Sequence, residues 1–171
     1  MTTKYAFLLT ACLVLTVPAW GGHTLAAQEQ RVLKTWLDRH PEYRLATDED
    51  CECADDIKQI RAGYGGAWKP VPDYHPYTAT GDFNGDGVED FAVVLIAPSK
   101  PEKNFALVVF NGPFKSDATS PAFMQSGLEL SYSGLSYGPP RPKPYRLLLG
   151  RFESDSGALL IPHGRGYKLG D

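Results

Sequence analysis

Asp82-Phe83-Asn84-Gly85-Asp86-Gly87-Val88-Glu89-Asp90 runs straight into Phe91-Ala92-Val93-Val94-Leu95-Ile96, and these fifteen residues decide how the 171-residue chain folds. The second part is a strongly apolar run rich in β-branched side chains, which predicts a strand. Pro98 and Pro101 punctuate it. A second apolar run, Asn104-Phe105-Ala106-Leu107-Val108-Val109-Phe110, then predicts a partner strand and a hairpin. Gly112-Pro113 ends that run. Upstream, Tyr77–Thr80 predicts a shorter strand that enters the loop.

The loop itself carries chemistry. Oxygen-bearing side chains occupy its first, third, fifth and ninth places, at Asp82, Asn84, Asp86 and Asp90. Val88, at the seventh place, can offer only its backbone carbonyl. Hard cations such as Ca²⁺ take about six to eight oxygen ligands, and Gly87 permits the sharp turn that lets alternate side chains converge. Without a cation, three carboxylates this close together repel one another. Magnesium competes less well because it demands near-octahedral geometry. The pattern is not an EF-hand. Val93 stands where an EF-hand has a bidentate glutamate, and a β-type run follows instead of a helix.

The segment Thr80–Val93 closely resembles the calcium loop of FG-GAP/VCBS-type repeats. That resemblance implies a loop between strands that binds Ca²⁺ through Asp82, Asn84, Asp86 and Asp90 side chains and the Val88 carbonyl. It covers only this short segment, and no second copy occurs. A propeller needs several blades around an axis, so neither the propeller fold nor its adhesive functions follow.

Working toward the N-terminus, Ala27 to His40 has helical spacing, with Val32, Leu33, Trp36 and Leu37 on one face and Pro41 as a stop. The acidic stretch Thr47–Asp56 leads into a second helix with Asp50 as a candidate N-cap, Ile57 and Ile60 as its apolar stripe, and Gly63 as its stop. Gly63 to Pro76 is an irregular connection rich in aromatics. Tyr64, Trp68, Tyr74 and Tyr77 either line a binding groove or pin the segment onto the sheet. Toward the C-terminus, short strands are expected at 122–125, 128–132, 145–150, 158–162 and 167–169. The Pro-rich segment 138–144 forms a stiff connection among them. Helices followed by many strands predict an α+β fold, with two N-terminal helices packed on a largely antiparallel β-sheet.

The first residues have the layout of a secretory signal peptide. Lys4 is the positive end, Tyr5 to Trp20 is apolar and uncharged, and small residues surround Ala26 and Ala27. The expected organisation is a signal peptide over 1–26 and a single domain over 27–171. The mature protein is then periplasmic or secreted, without stable membrane insertion. Leu9-Thr10-Ala11-Cys12 offers the alternative of lipidation at Cys12. Removal of the leader leaves Cys51 and Cys53, and in an oxidising compartment a disulfide is expected ahead of free thiols or a metal site. Formal net charge is −3 with no basic patch, which argues against nucleic-acid binding.

No serine sits in a nucleophile-elbow context. His75 and His163 are the histidines that a hidden hydrolase could use. The sequence therefore predicts an exported, non-enzymatic protein with one structural Ca²⁺. The alternatives are a binding or inhibitor module that meets a protein or glycan through loop 64–77, and a calcium-dependent hydrolase.

Overall fold

The computed structural model describes residues 24–63, 69–99, 104–138 and 143–170. The leader through residue 23, Cys12, Tyr64, Trp68 and the centre of the Pro-rich connection lie outside them.

The fold is mixed α+β, with two helices and two antiparallel sheets. The hairpin at its centre pairs β3 (Asp90–Ile96) with β4 (Phe105–Phe110). Along β3, Phe91, Val93 and Leu95 join one apolar cluster, and Ala92, Val94 and Ile96 join another. β4 alternates likewise, with Ala106, Val108 and Phe110 on one side and Phe105, Leu107 and Val109 on the other. Successive side chains on a strand face opposite ways, so a sheet covered on both faces needs continuous apolar strands.

The first sheet is completed by β1 (Arg44–Leu45) and β2 (Thr78–Gly81), which both pair with β3, and by β5 (Phe123–Leu128), which pairs with β4. The second sheet runs in order β6 (Ser133–Ser136), β7 (Leu147–Arg151), β8 (Gly157–His163) and β9 (Gly166–Gly170). Leu135, Leu147, Leu149, Leu160 and Tyr167 bring this sheet into the cluster that holds Val94 and Leu107. The sheets also meet at their margins. Leu135 N–H donates to Pro76 O across the β2–β6 seam at 2.7 Å. At the β5–β9 seam, a Cβ on Gly166 would stand 2.7 Å from Ala122 O.

Two sheets replace the single sheet expected from sequence. Of the segment 128–132, read as a strand, Leu128 ends β5 and residues 129–132 are instead where the chain passes between the sheets. Glu129 draws it into a turn by accepting the Ser131 N–H at 3.0 Å. Short apolar runs do not reveal which neighbour they pair with, and β1 is too short to show a period.

Helix α1 (Ala27–Leu37) places Val32, Leu33 and Trp36 in the cluster with Phe91 and Phe110. The Trp36 and Phe110 rings meet edge to face at 6.4 Å. Helix α2 (Ala54–Ala62) buries Ile57 and ends at Gly63, whose φ of +82° suits a glycine stop.

Asp50 is not the N-cap of α2. It closes a short 3-10 turn (Asp48–Asp50), and Cys53 takes the cap position. The Asp50 carboxylate accepts the Thr47 N–H at 2.8 Å and grips Arg44 with two bonds of 2.6 and 2.7 Å. The Arg44 hydrogen bonds pull the Asp50 carboxyl down to about 2. A carboxyl depressed on folding contributes stability above its unfolded value, near 3.9, that is lost as pH falls toward 2. Arg44 is half exposed, so solvent screens the pair and roughly 1 kcal/mol is expected. Urea titrations from pH 5 to pH 2 check this. Asp50→Asn is expected to flatten that part of the profile, whereas an unchanged acid profile contradicts the pair's role.

Candidate cation loop

Residues 82–89 connect β2 to β3, with Gly81 directly opposite Asp90 in the ladder. Asp82 shapes the turn. Its Oδ1 accepts the N–H groups of Gly85 at 2.7 Å and Asp86 at 3.0 Å, and its Oδ2 accepts that of Gly87 at 2.9 Å. Asn84 Oδ1 accepts the Asp86 N–H, and Asp86 Oδ1 accepts the Val88 N–H, both at 2.8 Å. The Asn84 amide donates to Asp86 Oδ2 at 3.0 Å. Gly85 and Gly87, with φ of +83° and +84°, supply the left-handed backbone that this curl requires.

Asp90 plays a different part. It is fully buried. Its Oδ2 accepts the Phe83 N–H at 2.9 Å, the Asn84 N–H at 3.4 Å and the Tyr167 hydroxyl at 3.4 Å, while its Oδ1 accepts the Gly112 N–H at 3.0 Å. Tyr167 also donates to Asn111 Oδ1 at 2.6 Å. Burial raises the Asp90 carboxyl above its ordinary value, against the pull of the Gly112, Phe83 and Asn84 N–H groups. One carboxylate thus ties the loop to the end of β4 and to β9. Sequence reasoning missed Gly112, Asn111, Tyr137 and Tyr167, because none stands near the loop in the chain.

The remaining loop contacts are aromatic. Phe83 is buried and packs edge to face on Tyr137 at 5.1 Å. The Tyr137 hydroxyl donates to Asp82 O at 2.6 Å.

A hard cation calls for oxygen donors, and Asp82, Asn84, Asp86 and the Val88 carbonyl each carry one. An ionised carboxylate has about four lone-pair sites. Asp86 accepts only two hydrogen bonds and is exposed, so acceptor capacity remains. Asp90 is buried and already accepts from the Phe83, Asn84 and Gly112 N–H groups, the first two on Oδ2 and the last on Oδ1. Among the described residues, no three His, Cys, Asp or Glu side chains stand as a group that could hold a metal.

The other sequence candidates fall elsewhere. Cys51 and Cys53 are joined by a buried disulfide, with Cα atoms 5.1 Å apart. Tyr74 and Tyr77 are core residues, 5% and 1% exposed, and Tyr77 also lines the groove described below. The Tyr77 hydroxyl donates to Leu130 O at 2.8 Å. His75 Nδ1 lies 3.2 Å from Asp48 Oδ1, and Arg61 bonds both Asp48 and Tyr74 O. Burial opposes ionisation of Asp48, yet the Arg61 and His75 hydrogen bonds outweigh it and hold the carboxyl below its ordinary value. Asp48 and His75 border an apolar groove of about 750 Å³ that Leu25, Leu33 and Leu37 also line. Among the described residues, no serine or cysteine lines that groove. His163 is exposed at the end of β8. No described helix is long and apolar enough to cross a membrane.

No family model, curated protein or solved structure matches the chain.

Proposed function

We propose that the protein is an exported, non-enzymatic domain whose loop 82–90 takes one Ca²⁺ as a structural clip. Asp82, Asn84, Asp86 and the Val88 carbonyl supply the ligands. Asp90 stands behind them and fixes the loop against the sheets. The observation that carries this reading is the curl of the loop around Asp82, which sets oxygen-bearing side chains at every second place on one turn. The ion neutralises clustered carboxylates and offsets the burial cost at Asp90. The two helices serve as covers, α1 through Val32, Leu33 and Trp36, and α2 through Ile57. The protein acts in the periplasm or outside the cell, where its partner is a protein or glycan.

A ligand that binds only the native state stabilises it by mass action, by about 2.7 kcal/mol at a hundredfold excess over Kd. Ca²⁺ is therefore expected to raise Tm by roughly 5–10 °C over an EDTA-treated sample. An EDTA-insensitive Tm overturns the clip. Asp86→Ala separates ion from fold: in EDTA it costs about 1 kcal/mol or less, because the side chain is exposed, and it abolishes the Ca²⁺ shift. Tyr137, bonded to Asp82 O, is placed to sensitise luminescence from Tb³⁺ in the loop. That signal is expected in the parent and absent in Asp86→Ala.

A further inference from the structure

We infer that the leader is cut between Gly21 and Gly22, so that Thr24, Leu25 and Ala26 stay with the mature domain. This rests on the reading of the chain as exported. Small residues around Ala26 and Ala27 make that region the obvious cleavage site in sequence. The fold makes it a poor one.

Leu25 is only 8% exposed and belongs to the cluster of Val32, Trp36, Phe91 and Phe110. Its carbonyl accepts a hydrogen bond from the Gln30 side-chain amide at 2.7 Å. Ala26 is the N-cap of α1. Its carbonyl accepts the Gln30 N–H at 2.9 Å, the first hydrogen bond of the helix. Its own N–H donates to Glu29 Oε2 at 2.7 Å. Glu29 is 3% exposed, and no other side-chain hydrogen bond to its carboxylate is present among the described residues.

Cleavage after Ala26 removes all four interactions together. It leaves the buried Glu29 carboxylate without its N–H donor, and it sets a new α-ammonium at the positive end of the helix dipole. Cleavage after Ala27 also removes the first helical residue and puts the bulky Leu25 three places before the cut. Ala19-Trp20-Gly21 meets the small-x-small requirement further upstream, directly at the end of the apolar run. A cut there keeps the Ala26 cap, the packed Leu25 and the Glu29 partner.

The test is to express the full chain with its own leader in a bacterial host and to sequence the N-terminus of the exported product, with its intact mass. A start at Gly22 is expected. A start at Ala27 or Gln28, or at a lipidated Cys12, overturns this inference while export stands. An uncut chain retained in the cytoplasm overturns both. In parallel, chains made without a leader and starting at Gly22 or Ala27 are compared by thermal unfolding. The Ala27 chain is expected to melt about 5–10 °C lower, or not to fold. Leu25→Ala in the Gly22 chain is expected to reproduce part of that loss. Equal melting temperatures for all three overturn the inference.

Discussion

Replacing Asp90 by alanine is expected to lower the unfolding free energy by about 3–5 kcal/mol, even in EDTA. The carboxylate accepts from three backbone N–H groups and the Tyr167 hydroxyl in a fully buried position. Each buried donor left unpaired costs about 1–3 kcal/mol, less where water enters or the group rotates to another acceptor. Tyr167 still has Asn111, so the loss falls on Phe83, Asn84 and Gly112. In a domain of this size the change corresponds to a Tm lower by roughly 10 °C or more. Asp90→Asn keeps one acceptor oxygen and turns an NH₂ toward donors, so it is expected to lie between parent and alanine variant. Urea unfolding in EDTA measures both. A cost below 1 kcal/mol for Asp90→Ala contradicts the role of the carboxylate as a tie between loop and sheets.

Gly112→Ala is the second change expected to have a large effect, about 2–4 kcal/mol. Its added Cβ would stand 2.4 Å from Glu89 O and 2.7 Å from Val88 Cγ1. Glu89 O is backbone, so it cannot swing aside without moving the loop. Moving Gly112 instead stretches its N–H bond to Asp90 Oδ1. Overpacking and a strained buried hydrogen bond therefore act together. Gly85→Ala is the control. Nothing lies within 4 Å of its added Cβ, so only the left-handed backbone resists, at about 1–2 kcal/mol. Gly112 and Asp90 share a hydrogen bond, so their double variant is expected to be less than additive by denaturation. Equal costs at Gly85 and Gly112 would contradict the overpacking at Gly112, whose backbone is not left-handed.

These residues also show how much of the molecule was legible in sequence. The hairpin of β3 and β4 was plain, because two long apolar runs flank a turn-rich segment and pairing neighbours is the simplest outcome. That both faces of the hairpin are covered was not, since a continuous apolar run carries no period to read. The end of α2 followed from Gly63, which acts locally, whereas α1 stops at Leu37, short of the His40 end that Pro41 implied. Asp50 was misplaced because its carboxylate answers to Arg44, a partner that helix-capping rules do not consider. The loop's oxygens were visible in order and number. Their division of labour was not: Asp90 differs from Asp82 and Asp86 through Gly112 and Tyr167, and the fold alone brings those together. Tyr74 and Tyr77, read as either groove or anchor, are both buried, and Tyr77 lines the groove beside Asp48 and His75 as well.

The seams between the two sheets have a consequence for how copies of the chain meet one another. An unpaired sheet margin is a template on which another chain can add a strand, and repeated addition makes polymer. Here β2 leans on β6 through Pro76 and Leu135, and β5 closes on β9 where Gly166 meets Ala122. Gly166 is then a guard as much as a turn residue. A side chain there would wedge the β5–β9 seam apart and expose two strands to neighbouring copies.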